Sequence, residues 1–206
     1  MPMNPALILG AGGLGRELYW WALEAGLTPI GFIDDRPDAL ATLRDYPPVV
    51  GSIASAQLTA PVLCGIGQNP IRQRCVAALR ERGARFASCI HPAARVYHAT
   101  LGEGAILAPG AYIGADATVG DFLFMQTGAV LGHDVRAGDF LRMDTTAFIG
   151  GYATLGSGVT LHTGAQVMPG KRVGDNATLG AGSTLLSNLP TDTTAFGSPA
   201  LPLARG

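Results

Sequence analysis

From Leu101 to Leu185 an apolar residue recurs at every sixth position, and this period limits the fold more than any other feature of the chain. The series is Leu101, Leu107, Ile113, Val119, Met125, Leu131, Ala137, Met143, Ile149, Leu155, Leu161, Val167, Val173, Leu179 and Leu185. Glycine usually follows, as at Gly102, Gly114, Gly120 and Gly132, and a small or β-branched residue stands four places on, as at Ala105, Ala111, Val135 and Val159. A helix repeats near 3.6 residues and a strand at two, so neither requires a period of six with glycine in a fixed phase. A parallel β-helix does. Each hexad is one flat side and one corner; the large apolar residue fills the coil, glycine eases the corner, and the small residue fits where walls converge. Three hexads close a coil, and the unbroken register predicts that no long loop interrupts it.

Residues 1–85 follow another plan. Ala6–Leu9 is a short apolar run, residues 10–15 form a Gly-rich turn, and Arg16–Ala25 has helical periodicity ended by Gly26. Ile30–Ile33 and Val62–Ile66 read as further strands and residues 70–82 as a second helix, giving a βαβ plan with a parallel sheet. The predicted fold class is therefore an α/β, Rossmann-like N-terminal domain (1–85) followed by an all-β parallel β-helix (86–190) and a C-terminal tail (191–206).

The 29 glycines and 14% charged residues fit a repeat protein. A formal charge of -1, with both signs intermixed, excludes the basic footprint that nucleic acid demands. The N-terminus has no basic region before its apolar run, and no stretch approaches the roughly 20 apolar residues of a membrane helix. A cytoplasmic location is the expectation. Cys64, Cys75 and Cys89 lack metal or redox spacing and read as small buried hydrophobes.

The hexads resemble those of the hexapeptide-repeat acyltransferases. The resemblance extends along the chain through Ile8–Gly13, Gly31–Asp35, Gly65–Asn69, Ile90–Ala93, Thr127–Val130 with His133-Asp134, and Phe196–Ala200. These segments follow the order of one branch, which contains the nucleotide-amino-sugar N-acetyltransferases and the sialic acid O-acetyltransferases. The resemblance implies a left-handed β-helix that forms a homotrimer, with acetyl-CoA as co-substrate in grooves between subunits. The implied activity is transfer of acetyl to an amine of a nucleotide-linked sugar, or alternatively to a hydroxyl of a sialic-acid-like sugar.

Attack on a thioester carbonyl needs a base, a partner that fixes the base's tautomer, and a donor for the developing oxyanion. His133 lies two residues after the apolar slot Leu131, off the core, and Asp134 follows it. From the residues alone the pair could also be a solvated surface pair; its alignment with the family's basic His and acidic neighbour implies the catalytic role. Residues eighteen apart stack on successive coils about 4.8 Å apart, which puts Gly151 beside His133 as oxyanion donor or simply as an easy corner. Gln126, Asp144 and His162 form a polar column where Gly is usual, either a ladder between coils or a second site. His91 and His98 receive no catalytic role.

The resemblance places cofactor contacts at Arg142, Thr163 and Ala181, the last two through backbone, with Arg142 standing where relatives carry His. It also sets the tail through Arg205 near the CoA end of the groove. The N-terminal loop is formally G-x-G-x-x-G between a strand and a helix, with carboxylates after the second strand, and local physics suits it to a dinucleotide. About 85 residues is small for a complete dinucleotide domain. The family uses Gly12, Gly13, Leu14, Asp34, Asp35 and Gly67 to hold the nucleotide of the sugar, Leu14 replacing a frequent His; otherwise the domain is a structural cap. No metal is expected. A β-helix zinc hydratase would need three converging His, and a non-catalytic sugar-binding protein would not need the His133-Asp134 pair.

Overall fold

The structure, a computed structural model, describes residues 4–203. It divides into two units, Met1–Pro92 and Ala93–Gly206.

In the first unit, Pro5–Leu9 (β1), Thr28–Ile33 (β2), Val49–Gly51 (β3) and Val62–Cys64 (β4) make a parallel sheet in the order β3-β2-β1-β4. Gly13–Glu24 (α1) connects β1 to β2, and Asn69–Glu81 (α2) follows β4. Ala6 to Leu9 are all buried, as expected for a central strand covered on both faces. Helix α1 turns Leu18, Trp21 and Ala22 inward, the face read from its periodicity. It begins three residues earlier than its apolar pattern because Gly12 is its N-cap. Strand β3 has only three residues and follows Pro47-Pro48, so it carries no alternation by which to recognise it. Close backbone contact explains the loop glycines: a Cβ on Gly15 would lie 1.8 Å from the Gly10 carbonyl oxygen.

The second unit is a left-handed parallel β-helix. Two-residue strands pair in parallel with those eighteen residues on, as Thr118 does with Arg136, Phe124 with Arg142, and Val130 with Phe148. The fifteen apolar slots, at three per coil, make five coils. Of these slots Ile113, Leu131, Ile149, Leu161 and Val167 are fully buried, as are Ala129, Ala147, Ala165 and Ala177 at the fourth place on. Each buried Leu, Ile or Val contributes roughly 1.5–3 kcal/mol, so the column of slots is the main source of stability.

The structure corrects the role given to the recurring glycines. The left-handed backbone falls three residues after the slot, at Gly104, Gly110, Asp116, Phe122, Gly128, Asp134 and onward, not at the glycine directly after the slot. That glycine is needed for space: a Cβ on Gly114 would come within 2.6 Å of the backbone nitrogen of His133 on the next coil. After the last coil, Thr194–Gly197 pairs with Thr178–Leu179 and then with Ala200–Pro202. Phe196 covers Gly180, where a Cβ would lie 2.0 Å from its ring, and the buried Ser183 hydroxyl accepts the Gly197 N–H at 3.0 Å. Arg205 lies outside the described residues.

Candidate active site

His133 sits at a corner after the strand Val130–Leu131, and Asp134 takes the left-handed turn position with φ 56°. Asp and Asn tolerate that conformation better than most side chains. The turn folds the carboxylate back, so that Asp134 Oδ2 lies 2.9 Å from His133 Nδ1. With a carboxylate as acceptor, Nδ1 carries the hydrogen, and Nε2 of the neutral ring keeps its lone pair for a substrate proton. The imidazole is 56% exposed, and Tyr152 meets it edge-on with ring centroids 4.9 Å apart.

Gly151 lies directly against this imidazole. A Cβ there would come 2.7 Å from both Cε1 and Nε2 of His133. Gly151→Ala should therefore displace the ring while leaving the coils intact, lowering kcat by about 10²-fold, the cost of a misplacement near 1 Å. Steady-state kinetics beside a thermal melt checks this; unchanged kcat would show that ring position is unimportant.

The corners differ in how their amides are closed. At one corner the N–H groups of Glu103, Asp121, Asp139 and Ser157 each donate to the side chain one coil on, Asp121, Asp139, Ser157 and Asp175. At the His133 corner the equivalent column is Ala115, His133, Gly151 and Pro169, where neither Gly151 nor Pro169 offers an acceptor side chain. The N–H groups of His133 and Gly151 have no acceptor among the described residues. Two open donors beside an imidazole are groups of the kind that could serve an oxyanion. The N–H groups of Thr163 and Ala181, at a third corner, are also without an acceptor among the described residues, so backbone contact there is sterically and chemically available.

The polar column has an organised core. Asp144 accepts from Arg142 Nε at 2.7 Å and Nη2 at 3.1 Å and pairs with His162 Nδ1 at 2.9 Å. Arg142 therefore commits its fork to a carboxylate two residues away, a contact that the sequence reading missed. The i, i+2 spacing brings Arg142 near Asp144 without specifying the bond, whereas the coil period of eighteen stacks Asp144 with His162. His98 Nδ1 meets Asp116 at 2.6 Å, while His91 is buried with Nε2 on Glu24 at 2.9 Å.

In the first unit, Gly12, Gly13, Leu14, Asp34, Asp35 and Gly67 all line one cleft of about 480 Å³, together with Arg36, Ile53, Ile71 and Cys75. Asp34 Oδ2 accepts the Ala11 N–H at 2.8 Å, and both its oxygens hold the Arg36 guanidinium at 3.0 Å. Burial alone would raise the Asp34 carboxyl, but the hydrogen bonds from Arg36 and Ala11 outweigh it and keep the value below the ordinary 3.8. A carboxyl lowered by folding contributes stability in full above that value and loses it as pH falls through the folded one. Asp35 Oδ1 takes the Ile53 N–H at 3.0 Å. Burial pushes the Cys64 thiol up to about 11 and Cys89 to about 12, which suits inert core residues; Cys75 is half-buried at the cleft. Among the described residues, no group of three or more His, Cys, Asp or Glu could hold a metal ion.

Residues 6–79 match the family described as PglD N-terminal domain. No curated protein matches the sequence. Among solved structures, PerB from Caulobacter crescentus, in complex with CoA and GDP-perosamine, is similar at 29% identity over 97% of this chain and 97% of that one, with a TM-score of 0.87. A histidine-to-alanine variant of GDP-perosamine N-acetyl transferase from the same organism, also with CoA and GDP-perosamine, matches at 29% identity over 98% and 97% of the two chains, with a TM-score of 0.85. The acetyltransferase domain of PglB from Neisseria gonorrhoeae, in complex with acetyl coenzyme A, shares 26% identity over 98% of this chain and 100% of that chain, with a TM-score of 0.85. A Gly-rich α/β unit matching the PglD N-terminal domain, followed by an uninterrupted β-helix, gives the chain the architecture of these acetyltransferase structures along nearly its whole length.

Proposed function

We propose that the protein transfers acetyl from acetyl-CoA to an amine of a nucleotide-linked amino sugar, with His133 as general base. The observation that carries this reading is the His133-Asp134 pair seated against Gly151, in a chain similar along its length to an enzyme named for N-acetylation of GDP-perosamine. In the step we assign, the amine nitrogen bonds to the thioester carbonyl carbon and its proton passes to His133 Nε2. Asp134 keeps the resulting imidazolium paired, the Gly151 N–H faces the carbonyl oxygen as it gains charge, and as the C–S bond breaks the imidazolium gives its proton to the departing sulfur, releasing CoA as the thiol and His133 as the neutral ring. The N-terminal cleft receives the nucleotide of the acceptor. The open amides of Thr163 and Ala181 suit an extended, amide-bearing pantetheine arm, and Arg142 acts there through Asp144.

Assignment by domain is testable through Michaelis constants. Asp35→Ala should raise KM for the sugar nucleotide about tenfold and leave that for acetyl-CoA unchanged, the pattern of lost uniform binding to one substrate. Equal changes in both, or none, would return the first unit to a structural cap.

The assembly we assign is a homotrimer. The corner carrying His133 is open, and Tyr97, Tyr112 and Tyr152 are exposed by 51, 40 and 65%. A second subunit would cover them and supply a wall for the CoA groove. Light scattering should give three times the chain mass; a fully active monomer would contradict it. No helix among the described residues is long and apolar enough to cross a membrane. We assign the protein to the cytoplasm, where acetyl-CoA and nucleotide sugars are made.

A further inference from the structure

We propose that Arg16 binds the diphosphate of the acceptor, which lies over Gly12, Gly13 and Leu14 while its nucleoside points toward Asp35. This rests on the acceptor reading given above and adds to it a residue and a direction.

The argument starts from the end of α1. Its N-cap is Gly12, no side chain caps it, and its first turn holds no acidic residue. Arg16 makes the first helical bond, its N–H reaching the Gly12 carbonyl at 3.0 Å, so the N–H groups of Gly13, Leu14 and Gly15 precede the ladder. That end of a helix is already positive, and a cation placed there is unfavourable unless an anion joins it. Arg16 adds such a cation. Its Nε is buried without a hydrogen-bond partner, and among the described residues Arg16 forms no ion pair. Glu17, beside it, is itself engaged. The fold makes no use of the Arg16 charge.

Charge elsewhere in the cleft sets the direction. Arg36 is consumed by Asp34, both Nε and Nη2 being bonded to that carboxylate. Asp35 gives one oxygen to the Ile53 N–H, which leaves the other for a ligand donor. A diphosphate near Asp35 would meet an uncompensated carboxylate, whereas ribose hydroxyls or a base N–H would meet an acceptor. At the opposite side, a depression of about 470 Å³ is lined by Gly13, Leu14, Arg16, Glu17, Trp20 and Tyr46. It shares Gly13 and Leu14 with the cleft, so a diphosphate over those two residues reaches both the open helix amides and Arg16. The Leu14 side chain brings no donor, which leaves the cationic contact to Arg16.

The experiment is calorimetric titration of the full chain with GDP, UDP and dTDP, and with guanosine, uridine and thymidine, for the native protein, Arg16→Gln and Arg16→Lys. One diphosphate should bind the native protein more tightly than its nucleoside. Arg16→Gln should weaken that diphosphate by about 10–100-fold, the worth of a charge-assisted contact, leave its nucleoside unchanged, and flatten the salt dependence; Arg16→Lys should recover part of the loss. Undiminished diphosphate binding by Arg16→Gln, or an equal loss for the nucleoside, would overturn the assignment of Arg16 while leaving the cleft as the acceptor site. If the native protein binds none of the three diphosphates, the acceptor reading itself fails, and Arg16 with it. Equal melting temperatures for the three proteins establish that binding, not folding, is compared.

Discussion

His133→Ala should lower kcat by about 10²–10⁴-fold, the range for a positioned proton acceptor, with KM for acetyl-CoA nearly unchanged. The side chain is 56% exposed and fills no apolar slot, so the coils should keep their register and melting temperature. Asp134→Asn should cost less, because Nδ1–H still finds an acceptor oxygen and loses only the full charge opposite the imidazolium. The comparison that isolates the base is His162→Ala. Both histidines hold Nδ1 on a carboxylate at 2.9 Å, but it is His133 whose ring lies against Gly151, within 2.7 Å of a Cβ placed there. Loss of His162 should change kcat far less. A crippled His162→Ala enzyme beside a nearly normal His133→Ala would move the base to the column of Gln126, Asp144 and His162.

Gly15→Ala is the second large effect, and it falls on stability. The added Cβ would lie 1.8 Å from the Gly10 carbonyl oxygen and 2.9 Å from its carbon, both fixed backbone atoms. Helix α1 would have to lift from the β1 turn, at a cost of about 3 kcal/mol, the upper range for overpacking. Gly10 itself has φ 91° and is packed against Gly65 and Ile66, so it cannot yield easily. Calorimetry should show one unfolding transition moved down, that of residues 1–92, and sugar-nucleotide binding weakened with it. By contrast Gly12→Ala, where a Cβ meets nothing within 4 Å, should melt like the native protein. Equal stability of Gly15→Ala and the native chain would remove close helix packing as the reason for that glycine.

Much of this was legible in advance because a hexad is a direct imprint of geometry. One apolar slot per side and a coil of eighteen residues are enough to place Gly151 next to His133 without coordinates. The same arithmetic stacked Asp144 with His162, whose bond the structure then supplied. What the period concealed was the job of each glycine. Close approach between coils and left-handed backbone both favour glycine, and only the structure separates Gly132, which needs room, from Gly128, which has φ 68°. Side-chain commitments were also hidden: nothing in the order of residues told that Arg142 would fork onto Asp144, or that Arg36 would lock Asp34 and leave Asp35 facing the cleft. Strand β3 escaped because an edge strand of three residues behind two prolines leaves no pattern.

The central claim is acetyl transfer to a sugar amine. It is tested most directly by incubating the purified protein with acetyl-CoA and a panel of GDP-, UDP- and dTDP-linked amino sugars and free sialic acids, measuring thiol release and the mass of every product. The account predicts stoichiometric release of thiol with one nucleotide-linked amino sugar, a product heavier by one acetyl group that resists mild base as an amide does, and neither signal with His133→Ala. An alkali-labile acetyl ester on a free sialic acid, or thiol release with no acetylated sugar, would contradict it.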